Sequence, residues 1–216
     1  MNKKPCPCHF QMLFIRNTEP RDLMAEGMFM DCRRRADVIR ERFNILGRMA
    51  PSFSVIADLG EIFIFPDYVP VEGVEQENFF SYISLTAIGL LQKLGAGEPV
   101  RTCTVLNMKS IPLIKGADGV KHPSSDPSET RDLVIITVFQ KGQKRGAVIV
   151  FEEKMFLCEG GNIKKKLVVP EAVSMPHVDT MTPHIFDRMV LDGKPFEKAM
   201  EEMMDELKKE TGEMTR

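Results

Sequence analysis

The sequence predicts an α+β fold: a single mixed, largely antiparallel sheet with a C-terminal-half meander, packed by two long helices and closed by C-terminal helices. Three observations predict it. Apolar residues recur at helical spacing over two long segments, short strand-like runs lie between and after them, and several of those runs are joined by turn-forming residues. One sheet with helices against it accounts for all three.

Residues 1–17 read as an N-terminal tail, because Pro5 and Pro7 interrupt regular structure and the apolar run from Met12 to Ile15 supports one edge strand at most. Residues 18–216 then form one α+β domain. Thr18 offers a helix cap and Pro20 suits an early helical position, and Met28, Cys32, Ala36, Ile39, Phe43 and Leu46 recur at spacings of four and three as far as Gly47. Arg33, Arg34, Arg35, Arg40 and Arg42 fall mostly on the wet side of this helix. Residues 53–59 alternate and residues 61–65 give a second run, so both are strands, broken at Gly60 and stopped by Pro66. A second helix is predicted over about 76–94, carrying Phe79, Phe80, Ile83, Ala87, Leu90 and Leu91 and closed by Gly95.

Residues 100–107 and 111–114 are strand-like, and the Gly-, Pro- and Ser-rich stretch 115–131 is the longest loop. Runs at 133–139, 147–151, 155–158 and 164–169, separated by turns such as Lys141-Gly142-Gln143-Lys144, predict a four-stranded antiparallel meander. Thr182-Pro183 opens a short helix to about Leu191, and Pro195 opens a last helix. In that helix Phe196, Met200, Met203 and Leu207 make a narrow apolar stripe on an otherwise charged surface, which suits a shallow groove on this chain or on a partner.

Charge and composition narrow the function classes. Among 216 residues, 29 basic side chains face 31 acidic ones, so there is no basic surplus of the kind that binds nucleic acid by releasing counterions. Five dispersed cysteines, an odd number, are the pattern of reduced thiols and point to the cytoplasm. No signal peptide and no apolar run of membrane-spanning length is present, so no membrane association is expected.

Candidate chemistry lies in four places. The loop from His122 to Asp132 reads His-Pro-Ser-Ser-Asp-Pro-Ser-Glu-Thr-Arg-Asp. It resembles the JAMM metalloprotease signature, with His122, Ser128 and Asp132 matching that family's second histidine, serine and aspartate. The first histidine position is Val120, and the Ser128 to Asp132 spacing is longer than the family's. The resemblance implies zinc-dependent hydrolysis with His122 and Asp132 as ligands. Asp126 belongs to the same loop. Separately, Asp132 with Glu152 and Lys154 are the residue types of a nuclease that holds magnesium or manganese through carboxylates and places a lysine near the attacking water. His177, Asp179, His184 and Asp187 form a third group able to bind a metal, and Cys6, Cys8 and His9 are half a zinc site.

None of these is a complete reactive set. The sequence therefore points first to a non-catalytic, cytoplasmic binding or regulatory protein without a cofactor, acting through contacts with a protein partner or a second copy of itself. The alternative is a metal-dependent hydrolase or nuclease using the loop 122–132 with Glu152.

Overall fold

The computed structural model describes residues 9–70, 73–111, 113–115, 121–158, 160–170 and 181–194, together with Lys198, Glu201 and Asp205. The chain makes β1 (Phe10–Arg16), α1 (Leu23–Glu26), α2 (Met28–Leu46), β2 (Ser52–Ala57), β3 (Gly60–Pro66), α3 (Gly73–Lys93), β4 (Pro99–Ser110), β5 (Leu113–Lys115), β6 (Lys121–Pro123), β7 (Arg131–Gln140), β8 (Ala147–Leu157), β9 (Ile163–Val168) and α4 (Met181–Leu191). Seven strands form one sheet in the order β1-β3-β2-β4-β7-β8-β9, and β5 and β6 form a separate two-stranded ribbon. Every pairing in both is antiparallel. The α+β architecture is the predicted one.

Successive side chains along a strand point to opposite faces, and here both faces are apolar. Phe53, Val55, Ile62, Ile64, Leu106 and Phe139 meet Phe79, Phe80 and Ile83 of α3 and Phe186 and Val190 of α4 in one core. The Phe53 ring touches Phe79, Phe80 and Phe186 at centroid distances of 5.9, 5.7 and 5.0 Å. Val105, Val134, Ile136, Val138, Ala147 and Phe151 point the other way and meet Cys32, Ala36, Ile39 and Phe43 of α2. The sheet is thus the middle of three layers. The central strands β4 and β7 belong to both cores, which is why Leu133 to Gln140 is a run of buried residues without alternation.

Two local readings differ from expectation. The first long helix begins at Met28 rather than near Thr18, because Gly27, at φ 70°, turns the chain between α2 and the short α1, whose cap is Asp22 accepting from Ala25 N at 3.0 Å. The predicted four-stranded meander over 133–169 has three strands, since Ala147–Leu157 is continuous. Glu152, Glu153 and Lys154 do not interrupt it, because they pair with Val168, Leu167 and Lys166 of β9. The run near Met12 is the edge strand β1, with Phe10–Arg16 paired along β3. The stripe Phe196, Met200, Met203 and Leu207 lies outside the described residues; Lys198, Glu201 and Asp205 are helical and exposed.

Candidate functional site: an arginine-rimmed groove

The helical layer over the second face is incomplete. The α2 helix lies over β7, β8 and β9, whereas β1 and β3 carry Leu13, Ile15, Phe63 and Phe65 on that same face, and Leu13 and Ile15 remain 51% and 47% exposed. Phe63 and Phe65 stand two residues apart on β3 with rings parallel to within 8° and centroids 6.2 Å apart. Between this patch and α2 runs a groove of about 320 Å³. Its floor is Ser52, Ser54, Phe63, Phe65, Cys103 and Val105, and its rim is Arg21, Arg34, Arg35 and Arg42.

The rim is held by a buried ionic network. Arg35 donates from both terminal nitrogens to Glu61, at 2.6 and 2.9 Å, and from Nε to Asp31 Oδ1 at 3.1 Å. Arg34 donates to the same Asp31 oxygen at 2.8 Å and is paired with Glu26 at 2.9 Å; Arg21 is also paired with Glu26. Beneath them Arg101, fully buried, lies 3.4 Å from Asp31 Oδ2, donates to Gln140 Oε1 at 2.9 Å and to the Leu23 carbonyl. Burial works to raise the Asp31 carboxyl, but Arg35, Arg34 and Arg101 outweigh it and hold the group below its ordinary value. Burial likewise opposes the charge on Arg35, and its bonds to Glu61 more than offset that. Arg35 stays charged, and its planar fork is fixed in place.

Arg42 is different. It is exposed on the same wall with no carboxylate partner among the described residues. The groove therefore presents positive charge above aromatic and aliphatic carbon. Cys32 on the buried side of α2 and Cys103 on β4 add no reactivity: burial pushes Cys32 up to about 11 and Cys103 up to about 12, leaving both as neutral thiols.

The residues singled out from sequence are dispersed. Glu152 faces the same side of the sheet as its cross-strand partner Leu133, while Asp132 is on the opposite side, one residue before Leu133. The two carboxylates do not share a cleft. Glu152 is instead 3.6 Å from Lys154 Nζ and 3.7 Å from Arg131 Nη1. Asp126 closes its own turn, accepting from Ser128 N at 2.8 Å, and those bonds to Ser128 lower its carboxyl below the ordinary value. His122 is exposed on the β5-β6 ribbon opposite Ile114. His9 is exposed at the start of β1 and its carbonyl accepts from Asp67 N. Cys6, Cys8, His177 and Asp179 lie outside the described residues, and His184 lies within α4. Asp187 turns inward, buried, with Thr102 Oγ1 bonded to its Oδ1. Among the described residues no three His, Cys, Asp or Glu side chains gather where they would hold a metal, and none of the described helices is long and apolar enough to cross a membrane.

Comparison of the chain with protein-family models, with curated proteins and with solved structures found no match. The groove does not show as a unit in the sequence, because its walls come from segments far apart in the chain. The available signal was Asp31 with Arg34 and Arg35 one turn away, set beside the apolar stripe of α2.

Proposed function

We propose that this is a non-catalytic, cytoplasmic binding protein whose groove takes an acidic amphipathic segment of a protein partner. The observation that carries this reading is the pairing of an uncovered aromatic floor with a fixed arginine rim. An amphipathic helix lays its apolar face into such a groove, and carboxylates on its flanks meet the exposed Arg42, beside Arg34, whose orientation its pairs with Asp31 and Glu26 already set. Tyrosine or phosphate chemistry is not required by the geometry; apolar contact supplies affinity and the arginines supply orientation and sign.

The test is titration of the full chain into a labelled helical peptide with leucines along one stripe and glutamates elsewhere, followed by anisotropy. Saturable binding is expected, weakened about tenfold by Arg42→Glu and weakened by added salt, as exposed charge pairs are. A peptide with lysine in place of glutamate should not bind. If the acidic peptide fails to saturate, or binds Arg42→Glu equally well, the reading is wrong.

A further inference from the structure

The two edges of the sheet are built differently. At one end β9 carries Lys164, Lys165 and Lys166 in succession, and its Leu167 amide is already occupied, donating to Asn44 Oδ1 of α2 at 3.0 Å. Charged side chains on an edge keep further strands from adding to it. At the other end β1 runs Phe-Gln-Met-Leu-Phe-Ile-Arg, with no proline and no charged side chain before Arg16, and it pairs with β3 from Phe10 to Arg16 without a bulge. Arg16 itself donates to the Leu94 carbonyl at 2.8 Å.

The backbone of β1 fixes which groups face outward. The His9 carbonyl accepts from Asp67 N at 3.1 Å and Asn17 N donates to the Leu59 carbonyl at 3.0 Å, both toward β3. Along an antiparallel ladder alternate residues turn N–H and C=O to the same neighbour. Gln11, Leu13 and Ile15 therefore also bond to β3, while Phe10, Met12, Phe14 and Arg16 turn their backbone groups outward. The strand is the last of the sheet, and among the described residues nothing pairs with those groups. Beside them Met12 on one face and Leu13 and Ile15 on the other remain exposed.

We propose that this edge pairs with the same edge of a second copy of the chain, joining two seven-stranded sheets into one about a two-fold axis perpendicular to them. The outward residues lie symmetrically about Leu13, so the edge is complementary to itself. Two antiparallel copies of β1 overlap fully when Leu13 faces Leu13 on the axis. Met12 then faces Phe14 and Phe10 faces Arg16, each pair exchanging two hydrogen bonds, for about eight in all. The two Leu13 residues form a pair whose Cα atoms come within about 4.5 Å, so each side chain covers the other, and Ile15 packs beside Gln11. No charges of one sign face each other in this alignment, whereas pairing β9 with β9 would set lysine against lysine. The inference stands apart from the groove reading.

The test is sedimentation velocity and amide hydrogen exchange on the full chain. The natural chain should be a dimer that dissociates on dilution. The outward amides of Met12 and Phe14 should be protected in the dimer and lose protection as it dissociates, whereas those of Leu13 and Ile15, bonded to β3, stay protected in both states. Leu13→Lys and Leu13→Glu each set like charges opposite one another on the axis and should raise the dissociation concentration about tenfold or more. Mixing the two variants should restore a heterodimer, because the lysine of one then faces the glutamate of the other; a variant that fails to fold cannot give that rescue. A natural chain that is monomeric at every concentration overturns the inference and leaves the edge to a strand of another protein. So does a dimer whose Met12 and Phe14 amides exchange freely, a dimer indifferent to both variants, or a mixture of folded variants that stays monomeric.

Discussion

Two aspartates in this molecule are buried for opposite reasons. Asp31 is surrounded by guanidiniums, so its charge is matched and its carboxyl is lowered; the stability it contributes is present above the ordinary value of 3.8 and is lost as pH falls through its folded-state value. Among the described residues no cation pairs with the buried carboxyl of Asp187. Burial raises it well above 3.8, and the Thr102 bond only partly opposes this. The unfolded chain gives up this proton near 3.8 while the folded chain keeps it, so the contribution of Asp187 is complete below that pH and is lost as pH rises toward its folded-state value. Asp187→Asn keeps a side-chain oxygen to accept from Thr102 and removes the titration. At neutral pH it should stabilise the protein by about 1–2 kcal/mol, the order of the penalty for an uncompensated buried polar group, and the gain should vanish in acid. Urea unfolding of both proteins from acid to neutral pH measures the difference, in which Asp31 and the other groups cancel. A gain independent of pH, or a loss at neutral pH, would show that Asp187 is charged in the fold.

The first and third strands show how a local rule holds an element in place. Gly60 opens β3 directly opposite Arg16 of β1, and a Cβ there would lie 2.6 and 2.8 Å from the Phe14 ring and 2.9 Å from the Ile15 carbonyl oxygen. The ring has room to turn only at the expense of the first core, which Phe14 packs against, and the backbone oxygen belongs to the ladder. Gly60→Ala should therefore cost about 1–3 kcal/mol and should loosen β1 before the rest of the sheet. Hydrogen exchange across Phe10–Arg16 would report this, and unchanged protection there would sink it.

The same strand pair shows what was legible in the sequence. The break at Gly60 and the stop at Pro66 were readable because turns are local, as were the stripes of α2 and α3, which follow from one helix meeting one surface. The sequence does not mark Gly27 as a helix break, since nothing nearby announces a positive φ inside an apolar rhythm. The sequence reads the continuous β8 as two strands, because Glu152, Glu153 and Lys154 look like a turn until β9 is there to pair with them. The site was the least legible part. Arg101 lies inside a strand-like run, and only the fold brings Asp31, Gln140 and the Leu23 carbonyl around it. The loop 122–132 stood out because histidine, serine and aspartate are conspicuous, although Asp126 is occupied with closing its own turn.

At the scale of the whole molecule, the two cores are separated by the thickness of a sheet and not by a break in the chain. Leu106 and Phe139 belong to the α3-α4 core while Cys103, Val105, Val134, Ile136 and Val138, on the same two strands, belong to the α2 core. Neither side can lose its packing while β4 and β7 stay in register for the other. That coupling predicts one cooperative unfolding unit. Ile83→Ala opens a cavity in the first core and Phe43→Ala opens one in the second; each should cost about 2–5 kcal/mol. In either variant, the most slowly exchanging amides of β2 and of β8 should lose protection together, although Ile83 belongs to the core away from β8 and Phe43 to the core away from β2. If Ile83→Ala accelerates exchange in β2 and leaves β8 at its natural rate, the sheet is two folding units joined along β4, and the single-domain reading of residues 18–216 fails.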